Sequence, residues 1–420
     1  MLLGAVADDL TGATDLALML TRAGMKTVQV MEVPRDPAIF RDFDAVVVAL
    51  KTRTCPAKEA IELSLASAEA LLAAGARQIF FKYCSTFDST DEGNIGPVAD
   101  ALADRLGADL AIACPAFPTN KRTIYMGHLF VGELLLSDSP MKDHPLTPMR
   151  DASLVRVLGR QTQRKVGLVK FDTVRRGADA IRSDFKAAIA RGERYVIVDA
   201  LTDDDLMAIG RACRDMKLIT GGSGVALGLP QNFVEDGSMV AKPSPSTMQA
   251  AAGRAAILAG SCSEATRGQV ASAITAGIPA FKVDPAGIVA GRFTADGIVN
   301  WATQHGADGP VLVYSSADPM DVRAAQASLG REKAGHVVEQ LLAEVARRLV
   351  AGGVTRLLVA GGETSGAVVQ GLGVTTLEIG PEIDPGVPWT RAVGRDLVLA
   401  LKSGNFGTPD FFIKAWGRLS

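Results

Sequence analysis

Short apolar runs alternate with amphipathic segments along the first half of the chain. The runs are rich in Val and Ile, and most lack the period-two alternation of strands that face water on one side. Segments with helical spacing lie between them, such as 56–74, which has Pro56 at a suitable first helical position and Gly75 at the end. This alternation predicts an open, mostly parallel sheet with helices on both faces. The predicted strands are 2–7, 26–31, 44–50, 77–83, 109–114, 165–170 and 194–199.

The alternation stops at 231–249, which lacks periodicity and contains two prolines, and resumes after it. Such a composition is typical of a linker. The fold prediction is therefore α/β, with two α/β domains at 1–230 and 250–420, mostly parallel sheets, and an active site in the cleft between the domains. In the second half, strands are predicted near 255–259, 279–283, 310–315, 356–360, 375–379 and 396–401, and helices near 264–276, 319–350 and 364–371.

Composition narrows the range of partners. The chain has 420 residues, 48% of them hydrophobic, and a formal net charge of −2, so it offers no basic surface for nucleic acid. No apolar run reaches the roughly 18 residues of a membrane span, and no basic segment precedes an apolar stretch at the N-terminus, which favours a cytoplasmic protein. The five cysteines are scattered without a C-x-x-C pair, a pattern that argues against disulfides and zinc. Small solutes are the expected partners.

Two adjacent carboxylates end the first predicted strand. Asp8 and Asp9 precede Thr11 and Gly12, where a helix opens. Successive side chains of a strand point to opposite sides, so one aspartate is expected to face the crevice beyond the carboxyl end of the strand. Asp9 also suits the N-cap position, where its oxygen would accept a first-turn N–H. Spacing alone leaves a catalytic role and a capping role open.

A polar loop at 82–94 follows the strand 77–83. It brings together a lysine, hydroxyls and carboxylates, and Arg53 after a neighbouring strand adds positive charge at the same sheet edge. A lysine can pair with a carboxylate, hydroxyls donate and accept, and an aspartate can accept from an alcohol. The loop therefore indicates a site for a polyhydroxylated anion, with a solvated polar loop as the alternative.

Four glycine-rich turns follow apolar runs, at 221–224, 260–263, 361–366 and 403–407. Glycines let backbone N–H groups approach an anion, and a helix N-terminus adds partial positive charge. The turn at 361–366 is the best candidate for a phosphate site, while an ordinary tight turn is the alternative for each. The chain contains no P-loop, no complete dinucleotide fingerprint and no G-x-S-x-G elbow.

Taken together, these stretches resemble the four-carbon acid sugar kinase family over nearly the whole chain. The opening pattern of two aspartates followed by T-G-A matches 8–13, and the D-S-T-x-x-G-N pattern matches 88–94. The nucleotide half is similar at 260–261, 361–364 and 403–407. The resemblance implies an N-terminal sugar-acid domain and a C-terminal nucleotide domain.

One motif narrows the resemblance within the family. Threonate and erythronate kinases usually carry D-S-T-L-R-G-N, whereas this chain has Asp91 and Glu92 in place of Leu-Arg. The stretches 115–118, 127–131 and 144–149 look like the branch that acts on 3-oxo-tetronates, although Lys121 stands where that branch often has glycine. The resemblance implies ATP-dependent phosphorylation of the C4 hydroxyl of 3-oxo-tetronate, giving the 4-phosphate in four-carbon acid sugar catabolism. The alternatives are a D-threonate or D-erythronate 4-kinase and a non-catalytic sugar-acid-binding regulatory protein.

The resemblance also implies residue roles. The catalytic candidates are Asp8, Asp9 and Asp88, one of which would accept the proton of the attacking hydroxyl. The substrate-binding candidates are Arg53, Lys82, Ser85, Ser89 and Thr90. The nucleotide-binding candidates are Ser261, Gly361, Gly362, Glu363, Thr364, Gly404 and Gly407. ATP and Mg²⁺ are the expected cofactors, without an indicated set of metal ligands. The expected partners are a sugar acid and ATP, without nucleic acid or membrane, and a homo-oligomer is compatible with the sequence.

Overall fold

The computed structural model describes residues 1–34, 40, 42–144, 147–307, 309–316, 327 and 330–420. Within these ranges the chain divides into two compact units, Met1–Ser244 and Pro245–Ser420, called unit 1 and unit 2. Each unit is α/β with a mostly parallel sheet, so the predicted fold class is confirmed. No helix of the described ranges combines the length and hydrophobicity of a membrane span.

Unit 1 is built on a parallel sheet of eight strands in the order β2-β3-β1-β4-β11-β5-β10-β9. Its strands are β1 Leu3–Ala7, β2 Thr27–Met31, β3 Ala45–Ala49, β4 Gln78–Lys82, β5 Ala111–Cys114, β6 Arg122–Tyr125, β7 His128–Val131, β8 Leu134–Leu135, β9 Lys165–Val169, β10 Glu193–Val198 and β11 Leu218–Gly221. Its helices are α1 Leu10–Arg22, α2 Ala57–Ala73, α3 Ile95–Leu106, α4 Leu154–Gln161, α5 Phe171–Val174, α6 Ala178–Ala190, α7 Asp203–Ala212 and α8 Pro230–Glu235.

The register of the central strands places the polar loops at one edge of the sheet. All residues of β1, β3 and β4 are buried, as expected for strands covered on both faces. Ala7 at the end of β1 pairs with Ala49 of β3 and with Lys82 of β4. Because parallel strands end together, the segments after residues 7, 49 and 82 emerge side by side.

A small antiparallel sheet, β6-β7-β8, was not among the predicted strands. Its first turn has Met126 at φ 50° and Gly127 at φ 72°, and the buried Asp199 accepts both of their N–H groups at 2.8 Å. Lys121 precedes β6 at φ 59°, a left-handed conformation that explains why glycine suits this position. Strands of two to four residues give too short a pattern to be read from sequence.

Unit 2 contains the sheet β13-β14-β12-β15-β18-β17-β16, parallel from β13 to β18 and antiparallel beyond. Its strands are β12 Arg254–Ala259, β13 Ala280–Lys282, β14 Val311–Tyr314, β15 Val354–Ala360, β16 Thr376–Asp384, β17 Val387–Ala392 and β18 Val398–Lys402. Its helices are α9 Glu264–Thr275, α10 Pro285–Val289, α11 Ala295–His305, α12 Arg331–Ala351, α13 Gly362–Gly371 and α14 Phe411–Lys414.

Several elements differ from the sequence prediction. The predicted strand 375–379 is longer, and β17 was not predicted because Pro388 lies inside it, where the pairing with β16 shifts register. The predicted helix 319–350 corresponds to α12, but most of its first part lies outside the described residues. The segment 231–249, predicted as a linker, begins within α8. β11 is a further buried strand that the pattern did not indicate.

Candidate active site

Asp8 is fixed at the end of β1 by its backbone and by Arg53. Its N–H donates to the carbonyl of Lys82 at 3.0 Å, and its carbonyl accepts from the N–H of Thr52, also at 3.0 Å. The Arg53 side chain donates to both carboxylate oxygens, from Nε at 2.9 Å and from Nη2 at 2.8 Å. This two-point contact is the strongest form of an arginine–carboxylate pair, and it engages both carboxylate oxygens of Asp8.

Asp9 caps α1 and also belongs to the charged cluster. Its Oδ1 accepts the N–H of Gly12 at 3.2 Å and Nη2 of Arg53 at 2.6 Å, while Oδ2 accepts the Thr11 hydroxyl at 2.8 Å. Gly12 is required here, because a Cβ at that position would lie 2.9 Å from Nζ of Lys82. Asp9 therefore caps α1 and at the same time contacts the arginine of the candidate site.

The two aspartates differ in proton affinity. Burial raises the pKa of Asp8 above its ordinary value, and the opposing effect of Arg53 does not cancel it. Burial also acts on Asp9, but Arg53 and Lys82 outweigh it, so the pKa of Asp9 is lowered. Burial opposes the charge of Arg53, yet Asp8 and Asp9 hold its pKa well above the ordinary value. Arg53 is thus a permanent cation between two carboxylates.

The loop after β4 is held in an unusual conformation. Phe87 has φ 53°, in the left-handed region that disfavours a bulky residue. Its buried ring packs edge-to-face on Tyr83 with centroids 5.3 Å apart, a contact that compensates the backbone strain. Lys82 is 3% exposed, and its Nζ donates to the carbonyl of Tyr83 at 3.0 Å. Two polar residues of this loop, Asp88 and Ser89, line a cavity together with Asp8 and Arg53.

Asp88 lies in the same small cavity as Asp8, Arg53 and Ser89. Its Oδ1 accepts the Thr86 hydroxyl at 2.5 Å, and within the described residues Oδ2 accepts no hydrogen bond. Asp88 differs in this respect from Asp8 and Asp9, whose oxygens are all engaged. It is the candidate carboxylate with an oxygen available to a ligand.

The remaining substrate candidates divide into two groups. The Ser89 hydroxyl accepts from Nε2 of Gln161 at 2.8 Å, and the Thr90 carbonyl accepts from the same nitrogen at 2.6 Å. Gly93 packs against Ser89 where any side chain would clash. Ser85 is half-buried in the same loop, and its side chain makes no hydrogen bond within the described ranges. The structure therefore brings Ser89 to the cavity of Asp8, while Thr90 contributes to the loop's support.

A wider pocket of about 920 Å³ adjoins this loop. Asp91 and Glu92 lie on its wall, opposite Arg156 and Arg160 of α4. Arg160 approaches Asp91 at 3.4 Å, and Arg156 forms a two-point pair with Asp151. Asp91, one of the two acidic residues that depart from the threonate kinase pattern, therefore pairs with an arginine of the same pocket.

Asn94, the last residue of the D-S-T-x-x-G-N pattern, supports the arginine loop. Its Nδ2 donates to the carbonyls of Thr52 at 2.7 Å and Cys55 at 2.8 Å, and Asn94 is 8% exposed. These two bonds fix the backbone on both sides of Arg53. The sequence indicates Asn94 only as part of a motif, because its position 41 residues from Arg53 hides this role.

Asn94→Ala is expected to raise the KM for the acid that the motifs imply about tenfold, because the carbonyls of Thr52 and Cys55 lose their donor and the Arg53 loop relaxes. Unit 1 should also lose about 1–3 kcal/mol of stability. Asn232→Ala is the matched control, since Asn232 is a buried asparagine that donates to the carbonyl of Gly210 at 2.9 Å, remote from this loop. An equal rise of KM in both variants would show a general loss of stability instead. Steady-state kinetics measures the difference.

Three glycine-rich turns of unit 2 converge at the ends of β12, β15 and β18. A Cβ on Gly361 would lie 2.8 Å from Thr364 Oγ1 and 3.2 Å from the nitrogen of Ser261. A Cβ on Gly404 would lie 2.5 Å from Ser261 Oγ. Side chains at these glycines would push the turns apart, so the glycines are needed for close approach. Gly361 also has φ 129°, which few other residues adopt.

These turns leave a group of backbone donors without acceptors within the described residues. Such N–H groups at helix N-termini and glycine turns form anion sites, because their dipoles point at the ligand. Gly362 and Glu363 are exposed, as is Asn405, so the group faces solvent. We call it the amide cradle; its members are the N–H groups of Cys262, Gly362, Glu363, Thr364, Gly404 and Asn405.

Glycine is required at position 407 by the backbone conformation and by close packing against side chains of two helices. It adopts φ 84°, and a Cβ there would lie 2.9 Å from the Phe411 ring and 3.0 Å from Nε2 of Gln269. Gln269 was not among the candidates, yet it donates to the carbonyls of Phe406 at 3.0 Å and Gly407 at 2.9 Å. Gly407 therefore lets the turn pack against α9 and α14.

Lys402 is the most unusual residue of this region and was not predicted. It ends β18 fully buried, and its Nζ lies 3.0 Å from each of three oxygens, Thr266 Oγ1 and the carbonyls of Ser403 and Gly404. Burial lowers the pKa of Lys402 to about 7. The signal in the sequence is a lysine at the end of an apolar run and before a glycine turn. Lys82 likewise ends a buried strand, but a polar loop without glycine in its first turn follows it.

Two known family models match this chain, one in each unit. Residues 3–229 match the family model described as a sugar-binding N-terminal domain, and residues 256–412 match a nucleotide-binding C-terminal domain. Two α/β units with these descriptions define a two-domain protein with a sugar-binding domain and a nucleotide-binding domain. The chain belongs to the four-carbon acid sugar kinase family, which confirms the resemblance drawn from its motifs.

The individual relatives are similar over their whole length. The 3-oxo-tetronate kinase of Burkholderia multivorans is 55% identical, covering 99% of this chain and 96% of the relative. That of Cupriavidus necator is 54% identical, covering 100% and 97%. A crystal structure from Haemophilus influenzae has a TM-score of 0.84 at 42% identity, covering 99% of both chains. One from Salmonella typhimurium, described provisionally as a tRNA synthase, has a TM-score of 0.90 at 43% identity, covering 98% of both.

Proposed function

We propose that this chain is an ATP-dependent 3-oxo-tetronate kinase that transfers the γ-phosphoryl group to the C4 hydroxyl of the acid. The observation that carries the proposal is the presence in one chain of two complementary half-sites. Unit 1 holds Arg53 and Lys82 beside carboxylates, and unit 2 holds the amide cradle. The names of relatives above 50% identity support the choice of substrate.

The acid carboxylate would bind to the cations of unit 1. Arg53 uses Nε and Nη2 on the two aspartates, and within the described residues Nη1 donates to no protein atom. A guanidinium held rigidly by two carboxylates loses little further freedom when its remaining N–H groups engage a ligand. Lys82, held at the loop by the Tyr83 carbonyl, adds a second cation, and Ser85 adds a hydroxyl.

Asp88 is proposed to accept the proton of the attacking C4 hydroxyl. A general base must reach the hydroxyl before its proton affinity matters. Asp8 has the raised pKa, but Arg53 donates to both of its oxygens. Asp9 has a lowered pKa and is engaged by Arg53, Thr11 and Gly12. Asp8 and Asp9 are therefore proposed to hold Arg53 in place.

The triphosphate would bind to the amide cradle, with Ser261 and Thr364 beside it. Phosphoryl transfer needs mainly positioning and charge neutralisation, which backbone donors at glycine turns supply. Mg²⁺ would accompany ATP and neutralise phosphate charge. The described residues contain no group of three or more metal-ligating side chains, which fits Mg²⁺ bound largely through phosphates and water. Glu363, exposed on the cradle, is the carboxylate placed to assist.

A coupled ADP-release assay tests this function. Purified protein with ATP and Mg²⁺ is presented with D-threonate, D-erythronate and both 3-oxo-tetronate enantiomers. Turnover is expected with a 3-oxo acid and at least 100-fold less kcat/KM with threonate or erythronate, about the discrimination that loss of matched polar contacts produces. Turnover with threonate alone would contradict the substrate assignment. Acid binding without turnover on any acid would instead favour a regulatory binding protein.

A further inference from the structure

Three donors converge on the carbonyl oxygen of Gly404. Nζ of Lys402 lies 3.0 Å away, the Ser263 hydroxyl 2.6 Å away and the Thr266 hydroxyl 2.9 Å away. The same lysine donates to Thr266 Oγ1 at 3.0 Å, so the donors form one connected network. A carbonyl with three donors is held in a single orientation more firmly than an ordinary turn carbonyl.

This orientation determines where the next N–H group points. In a trans peptide the C=O and the N–H of one plane point in opposite directions. The Gly404 carbonyl points inward at Lys402 and α9, so the N–H of Asn405 points outward. That N–H is a member of the amide cradle, and Asn405 is exposed. The network therefore presents one cradle donor to the ligand.

The rest of the turn is anchored in the same sense. Gln269 donates to the carbonyls of Phe406, Gly407 and Thr408 at 2.9–3.2 Å. Asp384 accepts the N–H of Thr408 at 2.8 Å. Most of these contacts come from α9, so this helix holds the backbone of the turn at 404–408 in place.

A lysine is a costly way to secure a turn. Lys402 is fully buried and makes no ion pair within the described residues, while burying an amine without a counter-charge disfavours folding. An apolar side chain of similar volume would avoid this cost. Because burial of the Lys402 amine costs folding free energy, we look for the role of this lysine in ligand binding and not in stability.

We propose that Lys402 is a positioning residue for the nucleotide phosphates, which fixes the Gly404 carbonyl inward so that the Asn405 N–H donates to a phosphate oxygen. The proposal rests on the proposed function, since it requires that ATP is the ligand of the amide cradle. Lys402 acts through the backbone and does not contact the phosphate itself. Ser263 and Thr266 share the same task.

Calorimetric titration of ATP and of adenosine into wild-type protein and the Lys402→Met variant separates the phosphate contribution from that of the base and sugar. The affinity for ATP is expected to fall about tenfold or more, the effect of one lost charge-assisted contact, with adenosine binding unchanged within about twofold. Thr266→Val should lower ATP affinity in the same direction but less. Thr275→Val is its matched control, because Thr275 lies exposed on the same helix and donates to Ala271.

Two further measurements distinguish positioning from folding. All three tryptophans, Trp301, Trp389 and Trp416, lie in unit 2, so their fluorescence during denaturation reports that unit alone. Lys402→Met is expected to unfold within about 1–2 kcal/mol of the wild type by this signal, a factor of about 5–30 in the folded-to-unfolded ratio. Relief of the buried amine offsets the donor that the Ser403 carbonyl loses. With ¹⁵N-labelled asparagine, of which the chain has five, the Asn405 amide should shift on ATP addition in the wild type and not in the variant.

Equal ATP affinity in wild type and Lys402→Met would overturn this inference while leaving the proposed function intact. Parallel loss of ATP and adenosine binding together with lower stability would also overturn it, since the lysine would then be structural. Wild-type protein that binds no ATP would contradict the proposed function itself. An Asn405 amide that shifts equally in both proteins would show that Lys402 does not orient this peptide.

Discussion

Asp88→Asn is expected to lower kcat by about 10²–10⁴-fold, the usual contribution of a general base, with the KM for the acid changed by less than about threefold. The amide keeps the size of the side chain and can keep the hydrogen bond from the Thr86 hydroxyl, so the loop should stay folded. Steady-state kinetics with saturating ATP measures both parameters. The selective loss of kcat is expected because only Asp88 has an oxygen free for the acceptor hydroxyl within the described residues.

The two neighbouring aspartates provide an internal comparison. Asp8→Asn and Asp9→Asn should chiefly raise the KM for the acid, because each weakens the support of Arg53. Asp109→Asn is the matched control, since Asp109 is exposed at the opposite end of the sheet, before β5. Full turnover in Asp88→Asn together with a kcat lost in Asp8→Asn would transfer the base role to Asp8. Full turnover in all three variants would show that none of the three carboxylates acts as the general base.

Arg53→Met is expected to abolish measurable acid binding and to destabilise unit 1 by about 3–5 kcal/mol, the cost of leaving a buried carboxylate without its partner. Asp8 is 6% exposed, and Asp9 receives its closest charged contact from the same guanidinium. Removing Arg53 leaves two adjacent carboxylates facing each other. Isothermal titration with the acid and amide hydrogen exchange of β1 and β3 measure the two effects.

Arg53→Lys separates charge from geometry. A lysine keeps the positive charge but lacks the planar fork that contacts Asp8 at two points and Asp9 at a third. We expect stability near that of the wild type and acid affinity lowered at least tenfold, about the difference between a two-point and a single contact. Wild-type acid affinity in either variant would place the acid carboxylate elsewhere.

The sequence was most informative where strands are buried and short. β1 and β3 are continuous apolar runs and β4 is apolar between Gln78 and Lys82, so the polar residues that follow these strands could be placed at one sheet edge without a structure. The parallel arrangement then brought Asp8, Arg53 and Asp88 together, as the predicted topology requires. The same reasoning identified the turns at Ser261, Gly361 and Gly404, because glycines after apolar strands mark close approaches of the backbone.

Residues that act over long distances in sequence could not be found in this way. Asn94 supports the Arg53 loop from 41 residues away, and Gln269 anchors a turn more than a hundred residues later. Lys402 resembles an ordinary strand-ending lysine until its burial is known. The antiparallel strand β17 escaped prediction because Pro388 lies within it and a register shift accommodates the proline. Each of these depends on tertiary contacts that no local pattern encodes.

Phosphorus NMR of the reaction product identifies the hydroxyl that receives the phosphate, because 3-oxo-tetronate has only two hydroxyls that can accept it. The C4 carbon carries two protons and the C2 carbon carries one, so proton coupling distinguishes the two esters. After incubation of the protein with ATP, Mg²⁺ and 3-oxo-tetronate, we expect ADP and one new phosphate ester whose ³¹P resonance is a triplet. A doublet would assign the phosphate to C2, and the absence of any new ester would contradict a kinase acting on this acid.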